Sequence, residues 1–235
     1  MKIEDCGFIV FIKKFEENSL LVKVLSKENG LISGYVKHTK KDINQYQIGN
    51  LVNFSWSAKS TNQLGTIKIE VVKSFLSNFI SEKFYLNLIE SITVLINELI
   101  YERYLEQNLY NKMYTIFNYI IQNKEKELIL KEYLYFENIL LNILGTGIIF
   151  DNAVNLNELY YISPKTGLAV SKIKGEPYKD KLLYFPLLFQ KEKIEQKDIF
   201  QCFEVMSFFL KKYLDENNNS QKYKKFIIIR EKLFI

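Results

Sequence analysis

The sequence predicts an α+β protein in two domains: a small closed β-barrel over residues 1–78, then a mainly helical domain over residues 79–235. Three observations predict it. Five short runs rich in β-branched and aromatic residues, separated by polar turns, fill the chain as far as Lys73. Between Thr66 and Leu144 there is neither glycine nor proline, and apolar residues recur at helical spacing. All three prolines (Pro164, Pro177 and Pro186) then crowd with Gly167 and Gly175 into one turn-rich stretch.

The expected strands are "CGFIVFIKK" (6–14), "LLVKVLS" (20–26), "LISGYVK" (31–37), "LVNFSWSAK" (51–59) and "LGTIKIEVVK" (64–73). In the last, Ile67, Ile69 and Val71 alternate with Lys68 and Glu70, the period of a half-exposed strand. Five strands in so short a span fit the OB-fold, a partly open Greek-key barrel, with a small SH3-like barrel as the structural alternative. Helices follow. Phe84, Leu88, Ile92, Leu95 and Leu99 mark the first, and Leu109, Met113, Ile116 and Ile120 the second. Ile129, Tyr133, Phe136, Leu140 and Leu144 mark a third, which Gly145 ends as a C-cap. A loop-rich segment (146–190) precedes a fourth helix over 197–214, carried by Ile199, Phe203, Met206 and Leu210. "DENNNSQKYKK" (215–225) reads as a flexible polar connector before "FIIIREKLFI".

With 48% hydrophobic and 25% charged residues the chain has an ordinary globular composition. Its longest apolar stretch is broken by Glu90 and Glu98, and "MKIEDC" lacks a signal-peptide pattern, so cytosolic residence is expected. Cys6, Cys202 and the single histidine, His38, stand far apart with no CxxC or CxxH spacing. That inventory supplies no disulfide framework, no Cys/His zinc site and no activated nucleophile. A non-enzyme without metal or cofactor is expected. Charge is unevenly spread: 11 lysines against 7 acids over residues 1–80, 6 basic against 10 acidic over 81–153, and 15 against 10 over 154–235. Basic ends suit anionic partners.

OB-folds bind extended polymers across one sheet face with a basic groove and aromatic platforms. Lys13 and Lys14 end the first strand; Lys37, His38, Lys40 and Lys41 make a cationic corner after the third; Lys59 lies just beyond Trp56. Trp56, between apolar neighbours, reads as barrel core rather than a stacking platform. Lysines pair with phosphates without reading bases, so these residues alone do not separate DNA from RNA. A generic RNA-binding barrel and a protein-interaction module stay open on this reading.

Four stretches in order add a resemblance. "GFIVFIKKFEENSLLVKVLSKENGLISGYVKHTKK" (7–41), "IGNLVNFSWSAKSTNQLGTIKIE" (48–70), "YFENILLNILGTG" (135–147) and "YYISPKTGLAVSKIKGEPYKDKL" (160–182) resemble the RecO family of bacterial recombination mediators, in a branch without the zinc-finger cysteines. Where the first zinc ligand of relatives would stand, this chain has Asn152, Ala153, Val154 and Asn155, which makes the segment a degenerate, zinc-less finger. Prolines, glycines and packing of Tyr161, Leu168 and Leu182 are then expected to hold it, with Lys165, Lys172, Lys174 and Lys179 adding positive surface. The resemblance implies a non-enzymatic protein that binds single- and double-stranded DNA and anneals complementary strands. It also implies that the protein works with RecR to load RecA onto DNA coated by single-stranded DNA-binding protein, in the nucleoid. By matching location it implies DNA contacts at Lys13, Lys14, Lys37, His38, Lys40, Lys41 and Lys59. For the acidic, Phe-ending tail of the single-stranded DNA-binding protein it implies a pocket in the helical domain, with Lys131, Phe136 and Leu140 as candidates.

Overall fold

Each β-branched run becomes a strand: β1 (Lys2–Glu16), β2 (Ser19–Ser26), β3 (Gly30–Lys37), β4 (Leu51–Ser57) and β5 (Gly65–Lys73). The structure is a computed structural model that describes residues 1–39, 43–60, 63–75, 81–150 and 155–234. The strands close into a barrel in the order β1-β2-β3-β5-β4, the connectivity of the OB-fold and the fold class expected. Its interior is filled by one cluster that includes Ile9, Val22, Val24, Ile32, Val52, Phe54, Trp56 and Ile67. Trp56 is fully buried there and its indole N–H donates to the Ser33 carbonyl at 3.0 Å.

One seam of the barrel is short. β3 and β5 run parallel and pair only through Gly34↔Gly65 and Tyr35↔Thr66. Glycine is required on both sides: a Cβ on Gly34 would lie 2.6 Å from the Gly65 carbonyl oxygen, and one on Gly65 would lie 2.3 Å from Trp56 Nε1. Further along β3 the flank is taken by residues 101–105. The Arg103 N–H donates to the Leu31 carbonyl at 2.9 Å, and the Ser33 hydroxyl to the Glu102 carboxylate at 2.5 Å. The Arg103 guanidinium caps the Trp56 ring at 4.1 Å from its centroid, a favourable cation–π position.

Asp5 on β1 holds the β2–β3 turn. Its carboxylate accepts from the Ser26 hydroxyl, the Asn29 side-chain amide at 2.8 Å and the Glu28 N–H at 2.9 Å, while the Cys6 N–H donates to its other oxygen at 2.7 Å. Partial burial opposes its ionisation, but these donors together hold its pKa below the ordinary aspartate value of 3.8. Because the folded-state pKa is depressed, the stability Asp5 adds is complete above the ordinary value and is lost as pH falls through the lower one. Asp5→Asn is expected to cost about 1 kcal/mol at neutral pH and to flatten the acid limb of a stability–pH curve measured by urea denaturation. An unchanged acid limb would rule this linkage out.

The remaining elements are α1 (Lys83–Leu99), α2 (Gln107–Ile121), α3 (Lys126–Ile143), β6 (Leu159–Ile162), β7 (Ala169–Ser171), α4 (Lys172–Gly175), β8 (Leu183–Tyr184), α5 (Gln196–Glu216) and α6 (Ser220–Glu231). The breaks near Glu106 and Asn123 fall where expected, Asn123 with a positive φ of 51°. Gly145, at φ 80°, ends α3 with the Thr146 N–H turned back onto the Leu141 carbonyl. Two expectations are corrected. The "DENNNSQKYKK" stretch is not a connector throughout, since its last six residues open α6. The loop-rich segment contains a three-stranded sheet in the order β7-β6-β8.

The chain packs as two compact units, Met1–Phe117 with Ile228–Ile235, and Asn118–Ile227. The sequence-expected junction at residues 76–80 lies outside the described residues. In the first unit Phe8, on the outside of the barrel, meets the rings of Phe75, Tyr110 and Phe117 with centroids 5.9, 5.4 and 5.1 Å away. The late residues of this unit dock on α1: the Asn87 amide donates to the Lys232 carbonyl at 3.1 Å, and the Lys232 ammonium reaches Glu90 at 3.1 Å. Leu233 is buried as well. In the second unit α3 packs against α5, burying Ile129, Tyr133, Phe136 and Leu140 of one and Ile199, Cys202, Met206 and Phe209 of the other. Among the described residues no helix is long and apolar enough to cross a membrane.

Candidate nucleic-acid interface

Strand register decides which of the candidate lysines meet. Across β1, β2 and β3 the rows run Phe11–Lys23–Ser33, Lys13–Leu21–Tyr35, Lys14–Leu20–Val36 and Glu16–Ser19–Lys37. Leu20, Val22, Ile32 and Val36 belong to the barrel core, so by alternation Lys13, Leu21, Lys23, Tyr35 and Lys37 lie on the outer face. A register break in β1 between Ile9 and Phe11 turns the strand's phase and brings Phe11, Lys13 and Phe15 to this face, and a second between Lys14 and Glu16 brings Glu16 to it as well. The Lys23 ammonium lies 5.7 Å from the Phe11 centroid, and the half-exposed Phe15 ring lies 4.5 Å from that of Tyr35.

Lys14 is exposed at the same end of the barrel. Lys59 is exposed two residues past Ser57, which pairs with Thr66 and through it with Tyr35. The Met1 ammonium, hydrogen-bonded to the Ala58 carbonyl at 2.9 Å, adds a further positive charge beside Lys59. His38 follows Lys37 with its N–H on the Asn18 carbonyl at 3.1 Å and its ring half-exposed. Lys40 and Lys41 lie outside the described residues. The fold therefore gathers Lys13, Lys14, Lys37 and His38 at one end of the barrel, leaves Lys59 past the end of β4, and adds Lys23, Phe11, Phe15 and Tyr35, which sequence reasoning missed. Nothing short of the strand register could reveal them. Glu16, exposed in the row of Lys37, tempers the field at the rim.

The opposite sheet face is different in kind. Glu4, Asp5, Asn53, Ser55, Lys68 and Glu70 line a trough of ≈ 500 Å³. The Lys2 ammonium, 2.5 Å from Glu4, holds that carboxyl below its usual value, so Glu4 stays ionised beside its partner. One face carries cations with the exposed Phe15 ring and the partly buried Phe11 and Tyr35; the other carries Glu4, Asp5 and Glu70 with Lys2 and Lys68 among them. The first arrangement neutralises phosphates and offers stacking surface without hydrogen-bond readout of base edges.

Of the residues expected at the tail pocket, Phe136 and Leu140 are 0% and 1% exposed and pack in the core of the second unit. Lys131 is half-buried and donates to the Lys191 carbonyl at 2.8 Å.

In the finger segment, Asn152, Ala153 and Val154 lie outside the described residues, and Asn155 caps a short 3-10 turn by accepting from the Asn157 N–H at 3.1 Å. Amide chemistry holds the segment. Asn138 of α3 clamps Ile148 both ways, accepting from its N–H at 2.7 Å and donating to its carbonyl at 3.1 Å. The Gln190 amide donates to the Leu156 and Leu159 carbonyls at 2.6 and 2.7 Å. Gly167, at φ 73°, has no room for a Cβ, which would lie 2.1 Å from the Gly147 carbonyl. Pro177 starts the 3-10 turn Glu176–Lys181 and Pro186 precedes the next, Leu187–Phe189. Tyr161 is buried, and its hydroxyl donates to Glu176 at 2.9 Å. Burial and that carboxylate push its phenol up to about 12, so it remains a donor at working pH. Leu168, expected to pack, is instead half-exposed, because its backbone bridges Ile149 at the edge.

Residues 1–75 match the family model described as "Recombination protein O N terminal". Over 224 residues the chain is 38% identical to the DNA repair protein RecO of Rickettsia canadensis (strain McKiel), covering 93% of this chain and 91% of that protein. It is 35% identical to the protein of the same name from Rickettsia typhi (strain ATCC VR-144 / Wilmington) over 234 residues, with 96% of each covered.

Proposed function

This chain belongs to the RecO family of DNA repair proteins, and from that premise we propose that it is a recombination mediator that acts by binding and pairing DNA strands, without covalent chemistry. One observation carries the reading: on the outer face of β1–β2–β3, Lys13, Lys23 and Lys37 stand among Phe11, Phe15 and Tyr35. Annealing needs two phosphate backbones brought close without mutual repulsion, and lysines that tolerate any sequence supply that. The rings hold bases unpaired and ready to pair. Lys13, Lys14, Lys37, His38 and Lys59, with Lys40 and Lys41, are the proposed phosphate contacts. RecR, RecA and the single-stranded DNA-binding protein are the partners the family reading brings with it, in the cytoplasm on the nucleoid.

The test is equilibrium binding of labelled single strands, with annealing of complementary DNAs, across a salt series. Parent protein is expected to bind and anneal with strong salt dependence. Lys13→Glu/Lys37→Glu/Lys59→Glu is expected to weaken binding for every sequence and to reduce the slope of log affinity against log salt by about 2, as three lost single-strand phosphate contacts require. A slope unchanged by all three reversals would remove DNA from this face. A preference for RNA over the same DNA sequence would point instead to contacts with 2′-hydroxyls.

A further inference from the structure

We propose that the zinc-less finger carries a second single-strand DNA site, built on Tyr160, Tyr184 and Lys172, so that one chain holds two strands at once. The inference rests on the DNA-pairing reading above and extends it to the other compact unit. Tyr160 of β6 and Tyr184 of β8 are 40% and 57% exposed, large rings turned to solvent where burial would otherwise be favoured. They are braced rather than loose: their centroids lie 5.9 Å apart, and both rest on the buried Tyr161 ring, at 4.8 and 5.6 Å. The hydroxyl of Tyr161 is tied in turn to Glu176.

Charge decides what such a surface takes. Lys172 holds its ammonium 5.2 Å from the Tyr160 centroid, the same pairing that Lys23 makes with Phe11 at 5.7 Å on the barrel. Lys174 and Lys181 are exposed nearby in sequence, and the Glu176 carboxylate is already engaged by Tyr161 and by Lys179 at 3.6 Å. A neutral apolar partner would gain nothing from the ammonium beside the ring. A nucleotide gains twice, stacking its base on the ring and placing its phosphate at the ammonium. Bases in a duplex are already stacked on one another, so the ligand is single-stranded DNA without sequence preference.

Calorimetric titration of the full chain with a short oligothymidylate, which cannot pair with itself, tests this. Two strands per chain are expected, in two steps. Tyr184→Leu/Lys172→Glu is expected to weaken one step by about tenfold or more while leaving the other, and Tyr184→Phe, which keeps the ring, to leave both. Lys13→Glu/Lys37→Glu should remove the other step. One strand per chain in the parent, or two unaltered steps in Tyr184→Leu/Lys172→Glu, would overturn the inference and leave the barrel reading intact. Loss of a step in the finger variant with none in the barrel variant would uphold the inference and overturn the barrel reading. All four positions are exposed, and an unchanged melting temperature verifies that each variant is folded.

Discussion

Gly65→Ala is expected to destabilise the first unit by about 3 kcal/mol, read as a shift in the urea or thermal midpoint. The added methyl would sit 2.3 Å from Trp56 Nε1, 2.4 Å from its Cε2 and 2.7 Å from the Ser57 carbonyl oxygen. The indole has nowhere to retreat. It is fully buried, hydrogen-bonded to Ser33 and capped by Arg103. The other relief is to move β5 away from β3, and only two residue pairs join those strands. Trp56→Phe deletes the atoms that clash, so the double variant should be more stable than the sum of the single effects requires. A Gly65→Ala protein within about 0.5 kcal/mol of the parent would mean that the seam is not close-packed.

Lys191→Met should cost about 3 kcal/mol in the second unit, more than Asp198→Ala at about 2. Asp198, at the third position of α5, is 1% exposed and accepts from Lys191 at 2.9 and 3.0 Å and from the Glu195 N–H at 3.2 Å, while Glu195 caps the helix in return. Deleting the lysine leaves a buried charge with only the helix end to face. Deleting the aspartate frees a lysine side chain that is already 33% exposed and can turn to water, so what is lost is mainly the cap. A double-mutant cycle should show the pair strongly coupled. The reverse ranking would mean that the capping box, and not the buried charge, dominates this corner.

The barrel was legible because its strands are long and β-branched, and Val22, Val24, Ile67 and Ile69 carry their alternation openly. The first three long helices were legible for the same reason in the other period. β6, β7 and β8 were not, since strands of two to four residues are too short to show any period. α6 was hidden because its first turns are "SQKYKK" and its apolar residues form no stripe, with Phe226 and Ile229 buried but Ile228 exposed. At the site, a basic corner could be read from "VKHTKK", but the company of Phe15 and Lys23 depends on pairings between strands and on the register break between Ile9 and Phe11. Phe136 and Leu140 show the converse limit. An apolar residue at helical spacing reads alike whether it lines a pocket or fills a core, and here it fills the core.

The docking of Lys232 onto α1 has a consequence for how the protein is made. On the ribosome the barrel and α1 precede the second unit, yet residues 228–234 are translated only after every residue of it. The first unit is thus completed only after the whole of the second has been made. It must wait, as a nascent chain with part of α1 uncovered, while the intervening residues are added, and a chaperone meeting it in that interval would find a barrel still short of its final contacts.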